Sequence, residues 1–372
     1  MKIKTILALS MLTFAMSVAN ARDFRYEGLR YNIISEKDST CEVTFNGTEF
    51  SDNPYAQDSV VIPEYAFAGG ERYKVVGVGE NAFYGCVRMT DIDIPQSVVS
   101  IGPSGFQGCI SLEMVNIPRG VKVLPDDVFA DCEKLSTVVL PRGIEVLDNG
   151  AFAGCLNLRK ISLPGSVKMI NADAFYHCEA LEEIIIPSGI DSIGVEAFYG
   201  CKSLRNVVLP NKLEYIAEKS FGYCHSLVKV RLPENLRVIG SYAFAYCDNL
   251  TSVNLPEDIK VIGDAAFGNC TSLVMATLPD GVEEIGDLAY TGCTSLKSVR
   301  IPNSVENIGT AAFDKCTALK DVVCLIEKPK AITKHTFSNY AKAHLHVPYT
   351  CKKNYMLGKY WKDFQKITED AK

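Results

Sequence analysis

The sequence has little of what catalysis uses. It holds no glycine-rich phosphate loop, no Gly-x-Ser-x-Gly elbow and no His-Glu-x-x-His pair. Phosphoryl transfer, serine hydrolysis and zinc proteolysis are thereby left without their usual machinery. Histidine is scarce, at five in 372 residues. His177 and His225 flank repeated cysteines, whereas His335, His344 and His346 fall near the C-terminus. His177 beside Cys178 suggests a thiol and its base, but adjacent residues in a turn point apart. Gly154 and Gly200 hold the matching place in the neighbouring units. His344 and His346 can share one strand face, yet a metal needs a third ligand. The expectation is a protein that is not an enzyme and carries no cofactor or metal.

Basic runs are also missing, and 44 acidic side chains outnumber 38 basic ones. Nucleic acid and anionic membrane are poor partners for such a chain. No apolar run after residue 21 approaches the roughly 20 residues that a spanning helix requires. The one early run belongs to residues 1–21, which read as a cleavable export signal. Lys2 and Lys4 precede an apolar stretch, and Ala19-Asn20-Ala21 is a small-x-small cleavage site. No cysteine follows that site, so a lipid-anchored start is not expected. Cleavage after Ala21 leaves 36 basic against 44 acidic residues, a balance of −8. The expected location is secreted, periplasmic or cell surface.

What the chain does have is cysteine, fourteen in all, in a strict rhythm. Eleven stand at 86, 109, 132, 155, 178, 201, 224, 247, 270, 293 and 316, every gap being 23. Prolines from Pro95 to Pro302 and aromatics from Phe83 to Phe313 keep the same interval. Such self-similarity marks a repeat architecture. In the unit from Cys178 to Cys201, Leu181, Ile184 and Ile186 form an apolar set in which Ile184 and Ile186 alternate as strand residues do. Pro187 has no N–H for a neighbouring strand and marks where pairing stops. Ile190 and Ile193 suit a second short extended piece. Gly194 opens a turn that carries Ala197 and Phe198 to Cys201. A single unit cannot bury this set, but stacked units can, with like residues about 4.8 Å apart. General chirality makes the stack right-handed.

This beat resembles the BspA-like, or Treponema-type, leucine-rich repeats, as in "LVKVRLPENLRVIGSYAFAYC" at 227–247. The start, "VVIPEYAFAGGERYKVVGVGENAF" at 60–83, and the end from "CLIEKPKAITKHTF" at 324 are similar to that family's terminal segments. Leu124-Pro125, Leu147-Asp148, Gly105, Ser220 and Tyr290 depart from the pattern and put local packing in question. The resulting expectation is a β-rich α/β solenoid, a right-handed leucine-rich repeat stack of 23-residue coils with N- and C-terminal caps. Its parts are the signal at 1–21, a β-hairpin cap at 22–59, the solenoid at 60–324 and a C-terminal cap at 325–372. The hairpin is drawn with Asn46-Gly47 as its turn. A longer loop is placed near "GGERYK".

The repeated cysteines stack into one column. A spacing of about 4.8 Å permits disulfides, but parallel Cβ vectors and an odd count of eleven oppose them. A buried, reduced column of small hydrophobes is the reading. A linear column also offers no tetrahedron for zinc. Cys324 falls in an inward strand slot, and Cys41 and Cys351 belong to opposite ends of the stack.

Strand alternation turns two residues per coil outward. The candidate binding face comprises Met114, Asn116, Lys160, Glu183, Ile185, Asn206, Val208, Lys229, Arg231, Asn254, Met275 and Arg300. Exposed Met and Ile among polar residues suit protein recognition, although β-branched residues also simply favour strands. Lys229, Arg231 and Arg300 suggest an acidic ligand. The family resemblance implies a non-enzymatic surface or secreted scaffold that adheres to host matrix or other bacteria through an extracellular protein ligand, and a monomer is expected. The alternatives are an envelope spacer without a ligand and a carbohydrate-binding module. The second is weakened because the outward strip has no aromatic platform.

Overall fold

The computed structural model describes residues 23–45, 55 and 57–371. The leader and the Asn46-Gly47 turn lie outside them. Three antiparallel strands, Asp23–Tyr26, Leu29–Ser35 and Thr40–Thr44, open the described chain. The first turn is Glu27-Gly28, with φ of 47° and 82°. Positive φ at both central residues matches the right-handed twist of a tight hairpin. Thr40–Thr44 pairs parallel with Glu71–Val78. That strand forms a second hairpin with Tyr65–Ala68 around Gly69-Gly70. The residues read as a longer loop near "GGERYK" are therefore paired backbone. Glu71–Val78 then pairs with Ser100–Ile101, which ties this sheet to the repeats.

From there the chain is a β-solenoid of about 13 coils. Each coil gives a three- or four-residue strand to one row and usually a two-residue strand to another. Met114–Asn116 lies in parallel register with Thr137–Val139, and Val123–Leu124 with Val146–Leu147. The α part of the sequence expectation is not seen in the coils. Among the described residues the α-helix is six residues long, Lys352–Leu357, and lies beyond the repeats. The segment around Ala197 and Phe198 is a chain of tight turns. Two positions in each coil are left-handed, such as Glu196 at φ 55° and Gly200 at φ 72°. Two such reversals per coil are incompatible with a continuing right-handed helix.

Stacking is held by three sets of contacts. Consecutive aromatic rings from Phe83 to Phe337 lie 5.2–5.7 Å apart between centroids and within 16° of parallel. Turn amides cross the coil boundary, as when Phe198 donates its N–H to the Ser220 carbonyl at 2.9 Å. Thiols do the same, with Cys201 Sγ donating to the Phe175 carbonyl at 3.3 Å. All fourteen cysteines are free and buried. Glycine after the second strand answers a steric demand: a Cβ on Gly194 would sit 2.4 Å from the Ala172 backbone nitrogen.

Most departures from the repeat are absorbed. Leu124 and Leu147 are fully buried, Tyr290 joins the ring stack, and Ser220 donates its hydroxyl to the Ala217 carbonyl at 2.9 Å. The stack also runs past the last 23-residue unit. His344–His346 pairs with Asp321–Cys324, Lys366–Thr368 pairs with His344–His346, and Phe337 stacks on Phe313. Tyr355, Trp361 and Phe364 pack against this end.

Candidate binding face

The outward strand residues share one face because each coil repeats the same inward-outward alternation. Ile185 is 79% exposed, Val208 58%, Met275 56% and Met114 46%. Ile185 and Val208 lie in neighbouring coils, and contiguous exposed apolar surface is what marks interaction sites. Their polar neighbours are partly committed to one another. Lys160 pairs with Glu183 across the strands, and Asn206 and Lys229 stand in register. Met114 and Asn116 lie beside Thr137 and Val139. The acidic-ligand expectation is altered at Arg300, whose guanidinium reaches Asp280 at 2.9 Å and donates to the Leu278 carbonyl at 3.1 Å. Lys229 and Arg231 remain exposed.

This face is not one sheet. Its pairing stops between Thr137–Val139 and Lys160–Ser162, and again after Lys229–Arg231. At the second break, Ser252 makes a lone bridge to Lys229, and no ladder joins residues 252–255 to Met275–Thr277 among the described residues. A hollow of about 500 Å³ opens there. Three of the expected face residues, Asn254, Met275 and Arg300, line it together with Val253, Leu255, Glu257 and Asp280. Another, of about 450 Å³, brings Val208 and Arg231 together with Ile186 and Lys212. Met114, Asn116, Lys160, Glu183, Ile185, Asn206 and Lys229 line neither.

Sequence reasoning passed over Ala276. The equivalent inward slot holds Val207, Val230, Val253, Val299 and Val322 in other coils. Alanine removes two methyl groups from that slot, at the coil where pairing fails. A separate crevice of about 10 Å³ lies beneath the strand, lined by Ala276, Phe267 and Tyr290. Glu257 and Asp280 were missed because they follow the proline, beyond the strand.

No nucleophile emerges from the cysteines. Cys178 donates its thiol to the Phe152 carbonyl at 3.1 Å, and burial pushes its ionisation well above the ordinary thiol range. His177 sits at φ 54°, the left-handed position that glycine fills in neighbouring coils, and its Nδ1 lies 3.5 Å from Glu179. His346 has its Nδ1 2.8 Å from Asp370 and its Nε2 3.4 Å from Asp321. Among the described residues no three His, Cys, Asp or Glu side chains are grouped to hold a metal ion. No helix there is long and apolar enough to cross a membrane.

A row of tyrosines runs along the turn edge. Tyr176 and Tyr199 stack at 5.4 Å, and Tyr223 and Tyr246 at 4.3 Å. The rings of this row stack or tilt against one another. A stacking platform for sugars needs free faces.

The family model described as "BspA type Leucine rich repeat region (6 copies)" matches overlapping stretches from residue 76 to residue 356. A leucine rich cell surface protein from Faecalibacterium prausnitzii is similar in fold, with a TM-score of 0.51 at 23% identity. That match covers 83% of this chain and 96% of the other. The pneumococcal vaccine antigen PcpA gives a TM-score of 0.60 at 21% identity, covering 95% of this chain and 99% of the other. No curated protein is significantly similar to the chain. With the family model spanning most of the solenoid, the chain belongs to the BspA-type leucine-rich repeat family.

Proposed function

We propose that the protein is a non-enzymatic recognition scaffold, exported through the signal at 1–21 and displayed or released outside the cytoplasm. Its strand face binds an extracellular protein, either host matrix or a component of another bacterium. The observation that carries this reading is the row of exposed apolar side chains on ordered strand, above all Ile185 at 79%. The terminal segments, 22–59 and 325–372, serve in this reading as caps that shield the ends of the 60–324 stack. The scaffold acts as a monomer.

Capture of extracellular matrix proteins and of a glycan array by the 22–372 fragment tests the proposal. An Ile185→Lys, Val208→Lys variant is expected to weaken protein capture at least about tenfold, since two buried apolar anchors are worth ~1.5–3 kcal/mol each. Unchanged capture by that variant would defeat the strand-face assignment. Absence of any capture would favour the spacer, and capture of glycans alone would favour the carbohydrate module.

A further inference from the structure

The hollow at the Ala276 coil has a chemistry more specific than the rest of the face. Its floor is apolar, made by Val253, Leu255 and Met275, and its rim carries Glu257, Asp280 and Arg300. Arg300 is engaged on both nitrogens, with Asp280 at 2.9 Å and the Leu278 carbonyl at 3.1 Å. Its charge is met inside the protein. Glu257 has no ion-pair partner among the described residues. The rim is thus two carboxylates against one guanidinium, on a chain whose net charge is already −6. An acidic guest would bring a third carboxylate to this rim. A wholly apolar guest would fill the floor and leave Glu257 unmet.

We propose that this hollow receives a lysine or arginine side chain of the protein partner, which rests on the strand-face reading above. The aliphatic stem lies over Met275 and Leu255, and the cationic head reaches Glu257 and the outer oxygen of Asp280. Long basic side chains divide in this way between apolar surface and a polar rim. The space opens where residues 252–255 make no ladder with Met275–Thr277. At about 500 Å³ it lies in the size range of side-chain and small-ligand pockets.

The test uses the 22–372 fragment with methyl-labelled methionine and reads the Met275 resonance, assigned with Met275→Leu. Three synthetic peptides serve as probes: acetyl-Gly-Leu-X-Leu-Gly-amide with X as lysine, norleucine or glutamate. The lysine peptide is expected to shift the Met275 methyl in a saturable way. The other two are expected to bind about fivefold more weakly, the scale of one solvent-exposed charge pair. Glu257→Gln should abolish the preference for lysine over norleucine. A glutamate peptide that binds as well as the lysine one overturns the proposal, as does a lysine peptide that leaves Met275 unmoved at millimolar concentration. Capture of matrix proteins through Ile185 and Val208 is read separately. Intact capture with a silent hollow therefore sinks this inference alone.

Discussion

Raising the pH should unfold this protein over a narrow range. Ten of the eleven column thiols, from Cys109 to Cys316, donate to the carbonyl of the stacked aromatic one coil earlier. Burial is the main cause that holds them protonated, pushing Cys224 and Cys316 up to about 12 and Cys155, Cys201 and Cys247 well above their ordinary range. In the unfolded chain a thiol ionises near about 8.5. Because the folded value is the higher one, folded protein binds more protons at alkaline pH. Stability is therefore complete below about pH 8.5 and is lost progressively as pH rises from there towards the folded values.

The size follows directly. At about pH 9.5 each thiol that ionises only on unfolding removes ~1.4 kcal/mol. The eleven thiols of the column then remove roughly 15 kcal/mol, as much as the whole net stability of an ordinary domain at about 5–15 kcal/mol. At about pH 7.5 the same thiols remove only ~0.6 kcal/mol. Far-ultraviolet circular dichroism and thiolate absorbance, followed together under a phosphine reductant, should change in one transition between about pH 9 and 10. A Cys178→Ala, Cys201→Ala, Cys224→Ala variant should show a shallower pH dependence of stability. Thiolates that appear one by one while the dichroism stays intact would refute the buried, carbonyl-bonded column. So would a fold that survives unchanged past about pH 10.5.

Three further outcomes follow from the stack. Phe198→Ala removes a fully buried ring that stacks at 5.2 Å on both Phe175 and Phe221, and should cost about 3–5 kcal/mol in chemical denaturation. Hydrogen exchange should quicken first in the coils around 175–221, because each coil is stabilised by its neighbours; a loss spread evenly along the chain would contradict this. Gly309→Ala would place a Cβ 2.3 Å from the Gly286 carbonyl carbon, so the melting temperature should fall by the equivalent of about 1–3 kcal/mol. Lys315→Gly should raise it by about 0.5–1 kcal/mol, since exposed Lys315 holds φ 57° at a place glycine takes elsewhere.

The coil was legible in the sequence because its causes are local and repeated. Phenylalanine, cysteine and proline every 23 residues fix which side chains lie over which. The helical flavour of "AFxxC" was not legible as turns, because propensity does not display left-handed reversals such as those at Glu196 and Gly200. The extra residues before the first regular coil looked like a loop, yet Gly69-Gly70 makes them a hairpin. The outward row follows from alternation, and Met275, Asn254 and Arg300 line one hollow. That hollow was not legible. It depends on strand pairing that fails at residues 252–255, which the repeat pattern does not display.

Fourteen thiols and no disulfide sit uneasily with the proposed export, since oxidising compartments favour bridges. The stack itself answers it. Oxidation and exchange proceed through the thiolate on an accessible sulfur. The column thiols are buried among rings, and each from Cys109 onward gives its proton to a carbonyl of the coil before it. Its acidity falls for the same reason that its access does. The cysteine that fits between stacked turns as a small hydrophobe is thus made unreactive by the packing that selects it. Exposure would come only with unfolding, so the column's chemistry is silent while the coils remain on one another. Function is left to the side chains that point away from them.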